Sequence, residues 1–214
     1  MADNGSEAGE GEVAAGDFSA WLVEIQGAIR GDGGADVPCG GCTACCTSSQ
    51  FVHITPDETD TLAHIPPELL FPAPRRPDGH VLLGYDERGH CPMLVDGCCS
   101  IYEHRPRACR TYDCRVFPAA GLDPGADGKV GIARQARRWR FSSPSLDEKA
   151  AQDAVRAAAR FLRQRPDLLA APTSATRLAA LAVEIHELFL GEQEPDPGEV
   201  RAAVLRRRGV QPGA

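Results

Sequence analysis

The sequence is poor in aromatic residues, which limits how much of a core can be built from large rings. It contains two tryptophans, three tyrosines and seven phenylalanines, against 22 glycines and 17 prolines. Because glycine and proline interrupt regular elements, irregular segments should occupy much of the chain. Something other than aromatic packing should therefore hold these segments together.

Long apolar runs and an excess of positive charge are also missing. No run approaches the roughly 18 apolar residues of a membrane-spanning helix, and the stretch from Met1 to Gly16 lacks the basic and apolar regions of a secretory signal. The formal net charge is −7, whereas general nucleic-acid binding needs a basic face. We therefore expect a soluble, cytoplasmic protein with neither a membrane nor a general nucleic-acid partner.

Nine cysteines stand out against this background. The reducing cytosol disfavours disulfides, and an odd number of cysteines with the adjacent pairs Cys45-Cys46 and Cys98-Cys99 suits a simple disulfide framework poorly. Metal ligation tolerates both features. The sequence therefore favours thiolate ligands over disulfides.

The sharpest pattern is the segment from Cys39 to Cys46, which reads C-G-G-C-T-A-C-C. Its two-residue gaps let successive thiolates turn inward onto one metal in a tight loop. Adjacent residues point their side chains in divergent directions, so Cys45 and Cys46 should serve two different metals.

Eight cysteines in all are candidate metal ligands. They suffice for two tetrahedral four-thiolate sites, or for one cluster with spare ligands. The eight are Cys39, Cys42, Cys45, Cys46, Cys91, Cys99, Cys109 and Cys114.

Residues between the later cysteines are candidate neighbours of the metal. A four-thiolate site on a divalent ion keeps about two excess negative charges, which Arg105 and Arg110 can offset by hydrogen bonding. His90 and His104 lie near cysteines in the sequence and are further candidates for contact with the metal. Cys98 is either an alternate ligand or a free thiol, and we expect a free thiol.

These residues resemble the YkgJ-type cysteine cluster family. The resemblance rests on Cys39 to Cys46, on the Cys91-Pro92-Met93-Leu94 segment and on the segment from Cys99 to Cys114, and it covers about a third of the chain. That family is described as a zinc- or iron-chelating domain with a C-x-x-C-x-x-C-C signature, and a related domain occurs in flagellin lysine-N-methylases. By position the pattern carries over to Cys99 rather than Cys98, while Tyr112-Asp113 stands where the family usually has an aromatic residue and proline. The resemblance implies metal chelation rather than a particular reaction.

The spacing of the cysteines does not decide which metal is bound. Zinc is the common occupant of closed four-cysteine sites and would staple the loop-rich middle of the chain. The first three cysteines, Cys39, Cys42 and Cys45, also reproduce the start of a bacterial ferredoxin motif, with Cys91-Pro92 as the remote cysteine, which makes an iron-sulfur cluster the alternative.

The activity is equally open, and no catalytic class is predicted. The first hypothesis is a metal-binding protein that chelates zinc or iron. The alternatives are an iron-sulfur redox or methyl-transfer-related enzyme, and a metal delivery or sensing protein that uses the surplus thiol of Cys98.

Around the cysteines, the pattern predicts a small and irregular α+β fold, with a loop-rich metal centre packed against an N-terminal helix and C-terminal helices. Residues 1–16 read as a disordered acidic tail, residues 17–142 as the cysteine-cluster domain with its N-terminal helix, and residues 143–214 as a helical region packing on it.

Local signals predict several element boundaries. Asp17 should cap the N-terminal helix, which should end at Gly31. Capping boxes at Thr55 and Ser145 should open two more helices, the first ending near His64 and the second carrying an apolar face that consists of Ala154, Ala158, Phe161 and Leu162. Strands at residues 80–85 and 91–95 should form a hairpin. Helices are also expected around residues 178–189 and from Asp196-Pro197 onward, while residues 129–141 show no clear period.

Overall fold

A computed structural model describes residues 11–35, 37–143, 145–169, 173–191 and 193–207. Within these residues the protein has eight α-helices and seven short strands arranged in three small sheets. This confirms the predicted irregular α+β class. Every helix of the described residues is too short or too polar to cross a bilayer.

The elements alternate along the chain without a repeating unit. The helices are α1 (Phe18–Arg30), α2 (Thr59–Ala63), α3 (Arg107–Arg110), α4 (Val116–Ala120), α5 (Val130–Arg138), α6 (Leu146–Gln164), α7 (Ala175–Ile185) and α8 (Pro197–Arg207). The strands are β1 (Val13–Asp17), β2 (Val52–Ile54), β3 (Leu70–Pro72), β4 (Val81–Leu83), β5 (Leu94–Val95), β6 (Cys98–Cys99) and β7 (Trp139–Ser142).

Helices at both ends of the chain begin and end where the sequence predicts. The Asp17 carboxylate accepts a hydrogen bond from the Ala20 N–H at 3.0 Å, and Gly31 ends α1 with a left-handed φ of 92°. At α6, Ser145 and Glu148 form both hydrogen bonds of a capping box. Helix α8 begins at Pro197 as expected, and the helix predicted at residues 178–189 is α7 followed by a short 3₁₀ turn.

The tail predicted to be disordered is in fact structured in its last residues. Strand β1 pairs in parallel with β7, and Ala15 is fully buried. Its partner strand lies more than a hundred residues away in sequence, so local composition carried no sign of the pairing. Residues 1–10 fall outside the described part of the chain.

The hairpin predicted between residues 80–85 and 91–95 is wrong. Strand β4 is instead the centre of an antiparallel sheet with β2 and β3, and β5 pairs with β6. The loop between β4 and β5 is closed locally, because the Asp86 N–H donates to the His90 carbonyl and its carboxylate accepts from the N–H groups of Arg88 and His90.

The capping box predicted at Thr55 forms only in part. The Glu58 carboxylate accepts the Thr55 N–H at 3.0 Å, but the Thr55 hydroxyl donates to that carboxylate instead of capping the backbone. Helix α2 therefore begins later, at Thr59, and ends at Ala63, close to the predicted stop at His64.

Two apolar cores hold the fold. The larger one joins α1 and α4 to the C-terminal helices and includes Trp21, Phe117, Trp139, Leu162 and Val183. The smaller one lies under the β2–β4–β3 sheet and consists of Ile54, Ile65, Leu83, Met93 and Ile101. Because α1 packs with α6 and α7, the domain boundary at residue 142 stays a prediction.

Candidate metal centre

The cysteine loop of residues 39–46 is folded into two consecutive tight turns. The Cys42 N–H donates to the Cys39 carbonyl at 3.1 Å, and the Cys46 N–H donates to the Thr43 carbonyl at 2.9 Å. Gly40 has a left-handed φ of 55°, a conformation that favours glycine. These turns fold the eight residues that carry the first four thiols into a compact loop.

The later cysteines come to this loop from four separate places. The Cys91 N–H donates to the Cys46 carbonyl at 2.7 Å, which fastens the two segments together. Cys99 lies in β6, Cys109 lies in α3, and Cys114 is buried just before α4. All nine cysteines are free thiols.

One group of thiols gathers around Cys114. Burial raises the pKa of Cys114 to about 12, with further increases from the charges of Asp113, Cys39 and Cys42, against a hydrogen bond from Trp139 that lowers it. Burial likewise raises the pKa of Cys39 to about 11, and the charge of Cys42 adds to this effect.

Cys45 belongs to the same neighbourhood. Desolvation raises the pKa of its thiol well above the usual value, and the largest charge effect comes from Cys114, followed by Cys39. The residue surface of Cys45 is nevertheless exposed, so its surroundings are dense without being closed.

A second group of thiols surrounds Cys46. Burial raises the pKa of Cys46 to about 11, and the largest charge effects come from Cys91 and Cys99. For Cys109 burial raises the pKa to about 12, with added effects from Cys91, Cys46 and Cys99. Burial and Cys99 also raise the pKa of Cys91, against a backbone hydrogen bond that lowers it.

The two groups are adjacent and not fully separate. Cys42 also acts on Cys46, and Cys46 acts on Cys45 as a weaker neighbour. Arg105 faces both groups, since its positive charge lowers the pKa of Cys39, Cys46 and Cys109.

The sulfur atoms are neighbours without yet standing at the spacing of metal ligands. Sulfurs bound to one zinc at about 2.3 Å lie roughly 3.8 Å apart in a tetrahedron. Among the described residues, Asp60, His64 and His104 form the one group of three or more ligand atoms within 4.8 Å of one another, and cysteines are not in it. Metal binding by the cysteines would therefore require side-chain rotation that draws the sulfurs together.

Sequence reasoning missed the buried polar residues around Cys114. The Trp139 indole N–H donates to the Cys114 sulfur at 3.1 Å. Asp113 and Arg115, on either side of Cys114, form a buried ion pair at 2.8 Å, and the Trp21 indole donates to Asp113 at 2.8 Å. The only signal in the sequence was Asp113 standing where the resembled family has proline.

The predicted neighbours of the metal divide into two groups. Arg105 faces the cysteines while its guanidinium also donates to the Tyr102 carbonyl and lies over the Tyr102 ring. The charge of Arg110 acts on Asp60. His104 is hydrogen-bonded to Asp60 at 2.8 Å, and the backbone of His90 is held by Asp86.

Cys98 is exposed, as Cys45 and Cys109 also are, and it lies in the two-residue strand β6 with Val95 opposite. Its assignment as a free thiol outside the metal sites stays a prediction.

The comparisons with known proteins point to the same stretch of chain. A family model described as "Putative zinc- or iron-chelating domain" matches residues 38–121. Over this stretch the chain is similar to the CxxCxxCC family. The match includes all eight candidate ligands and confirms the resemblance to a metal-chelating cysteine family, whereas no curated protein and no solved structure matches the chain.

Proposed function

We propose that the protein holds two metal ions, zinc or iron, each in a site made of four cysteine thiolates. The first site consists of Cys39, Cys42, Cys45 and Cys114. The second consists of Cys46, Cys91, Cys99 and Cys109. The observation that carries this division is that the adjacent residues Cys45 and Cys46 have different dominant neighbours, Cys114 for the one and Cys91 for the other.

The donor set fits a cation of this kind. Four thiolates are the usual ligands of a structural zinc and of an iron-sulfur cluster. Neighbouring thiols raise one another's pKa here, so the negative charge of the thiolates needs a positive partner. A divalent ion would supply two positive charges to each site, and Arg105 and the Trp139 N–H are placed to offset part of the remainder.

The metal has a structural role in this proposal. The segment between Cys39 and Cys114 has only the small core around Ile54 and Leu83, together with strands of two or three residues. Such elements are marginal on their own in water. Bonds from each metal to distant cysteines would supply the missing cross-links.

Metal counting on paired variants tests the proposal. Elemental analysis of protein purified without oxygen and without a metal-affinity column should give two equivalents per chain. Cys45→Ser and Cys46→Ser should each remove one equivalent, from different sites. Cys98→Ser, which also alters one member of an adjacent cysteine pair, is the matched control and should keep both.

Three results would contradict the proposal. These are properly folded protein without metal, full metal content in Cys42→Ser, and loss of all metal in both Cys45→Ser and Cys46→Ser. The last result would indicate a single shared cluster and overturn the division into two sites.

An iron-sulfur protein, redox-active or related to methyl transfer, is the second candidate. It is favoured by the first site, where Cys39, Cys42 and Cys45 keep ferredoxin-like spacing and a remote cysteine joins them. That remote cysteine is Cys114 in this arrangement, in place of the Cys91-Pro92 pair expected from sequence. A visible absorption band with acid-labile sulfide would support this candidate, whereas a colourless sample with stoichiometric zinc would exclude it.

Metal delivery or sensing is the third candidate. Unlike the other two, it requires that the bound metal can leave the protein and pass to another molecule. The exposed surfaces of Cys45 and Cys109 would give a competitor access to either site. Rapid transfer of metal to a colorimetric chelator under native conditions would support delivery, and retention of both ions would argue for the structural role.

A further inference from the structure

A cluster of two histidines and one aspartate lies outside the cysteine sites. Asp60 and His64 stand one turn apart on and just after α2, and His104 ends the 3₁₀ turn Tyr102–His104. One ligand atom from each of the three side chains lies within 4.8 Å of the others. Two segments about forty residues apart in sequence therefore meet at these groups.

The two imidazole rings are held in a fixed relation. They stack with centroids 3.5 Å apart and planes inclined by 4°. Asp60 anchors both rings, because its backbone carbonyl lies 2.8 Å from Nδ1 of His64 and its carboxylate lies 2.8 Å from Nδ1 of His104. A histidine binds a metal through one ring nitrogen, and the other nitrogen of each ring can keep its hydrogen bond to Asp60.

The carboxylate contributes negative charge at the same place. Its hydrogen bond with His104, together with the charges of His104, His64 and Arg110, lowers the pKa of Asp60 below the usual value. Asp60 is therefore ionised at neutral pH. Hydrogen bonds also fix the surroundings, since the buried Glu58 carboxylate accepts the Arg107 N–H and the Thr61 hydroxyl donates to the Arg105 carbonyl at 3.4 Å.

We propose that Asp60, His64 and His104 form a separate binding site for a divalent transition-metal ion such as zinc. Imidazole nitrogen and carboxylate oxygen suit zinc, nickel and copper, and three protein ligands leave coordination positions for water. The side chains are between 38 and 66% exposed, so the site opens to solvent. This exposure distinguishes it from the proposed four-thiolate sites, which leave no coordination position for water. The ion bound here is therefore exchangeable.

Calorimetric titration on the metal-loaded protein tests this site. Protein that carries its purified metal content is desalted and titrated with Zn²⁺, and one additional equivalent should bind. His64→Ala and His104→Ala should each lose this equivalent. His80→Ala should keep it, because His80 belongs to the other stacked histidine pair, in which its Nδ1 lies 3.0 Å from Nε2 of His53.

The readout must also separate ligand loss from misfolding. Thermal unfolding of each variant checks the fold, and Asp60→Asn, which keeps the side-chain shape, should weaken binding without unfolding α2. Imidazole ¹H–¹⁵N signals of His64 and His104 should shift on adding Zn²⁺, while those of His53 and His80 should not. Absence of an additional equivalent, or its persistence in His104→Ala, would overturn the proposal.

Failure of this site and failure of the cysteine sites are distinguishable. Cys45→Ser and Cys46→Ser change the metal present before the titration, whereas the histidine variants change the metal taken up during it. An unchanged purified metal content with a missing additional equivalent would contradict the histidine site alone.

Discussion

The helical part of the protein and its cysteine-rich middle are built by different means. The helical part buries large side chains such as Trp21, Phe117 and Leu162 between helices of up to 19 residues. The middle has two- and three-residue strands over a small core, and most of its candidate ligands lie in turns and short elements. Apolar burial accounts for the first region, whereas in our proposal metal bonds between distant cysteines hold the second.

Metal removal should produce the largest difference between the two regions. A chelator should abolish amide-exchange protection across β2, β4 and α3 and leave α6 and α7 protected. The expected loss of folding free energy in the cysteine-rich middle is on the order of 10 kcal/mol, as in small domains that fold around zinc. Hydrogen exchange followed by mass spectrometry measures both regions in one sample. Equal loss of protection in both regions would contradict the division.

Lowering the pH should also release metal from the cysteine-rich middle while the helical part stays folded. Burial and neighbouring thiols raise the pKa of Cys39 and Cys46 to about 11, so without metal these thiols are protonated at neutral pH. Each must release its proton to bind metal, so affinity rises with pH and falls as pH is lowered. If four protons leave per ion, the apparent affinity changes roughly ten-thousand-fold per pH unit.

Dialysis at a series of pH values, followed by elemental analysis and circular dichroism, checks this expectation. Metal should leave at a higher pH than that at which α6 and α7 unfold. Metal content that stays constant from pH 8 to pH 5 would contradict thiolate ligation.

The ion pair of Asp113 and Arg115 lies where the two regions meet. Asp113→Ala leaves a buried guanidinium without its nearest carboxylate, which typically costs about 3 to 5 kcal/mol. Arg115 keeps the Ala15 carbonyl at 3.0 Å and Glu24 at 3.6 Å, so the lower end is expected. Chemical denaturation gives the change in unfolding free energy.

Asp57→Ala is the matched control for that variant. It removes the carboxylate of an ion pair with Arg107 in which both side chains are about half exposed or more. Exposed pairs contribute at most about 1 kcal/mol. Equal effects of the two variants would show that the Asp113 pair is not a special link between the regions.

A cavity in the helical core should destabilise the helical part and leave metal binding by the cysteine-rich middle unchanged. Leu162 is fully buried on α6, and Leu162→Ala should lower the unfolding free energy by about 2 to 5 kcal/mol with metal content unchanged. Leu146→Ala on the same helix, at 86% exposure, should change it by less than about 0.5 kcal/mol. Loss of metal from Leu162→Ala would indicate that the two regions unfold together.

Local signals in the sequence predicted the elements whose causes are local. Asp17, Ser145 and Gly31 mark helix ends through hydrogen bonds and backbone conformations that involve only a few residues, and the structure has them where expected. The apolar periodicity of α6 also predicted its buried face, which includes Ala158 and Leu162.

Features with distant causes were not predictable in the same way. The pairing of β1 with β7 depends on residues at opposite ends of the cysteine region. The hairpin prediction failed because turn signals at residues 86–90 do not distinguish a loop closed by Asp86 from a strand reversal. At the candidate site, the eight cysteines were visible in the sequence, whereas the indole of Trp139 on Cys114 depends on the fold.

X-ray absorption at the metal edge of the purified protein identifies the atoms bound to the metal. Ligation by the cysteines predicts an inner shell of four sulfur atoms at about 2.3 Å for bound zinc. A shell dominated by nitrogen or oxygen, in protein that retains its purified metal, would contradict ligation by the cysteines.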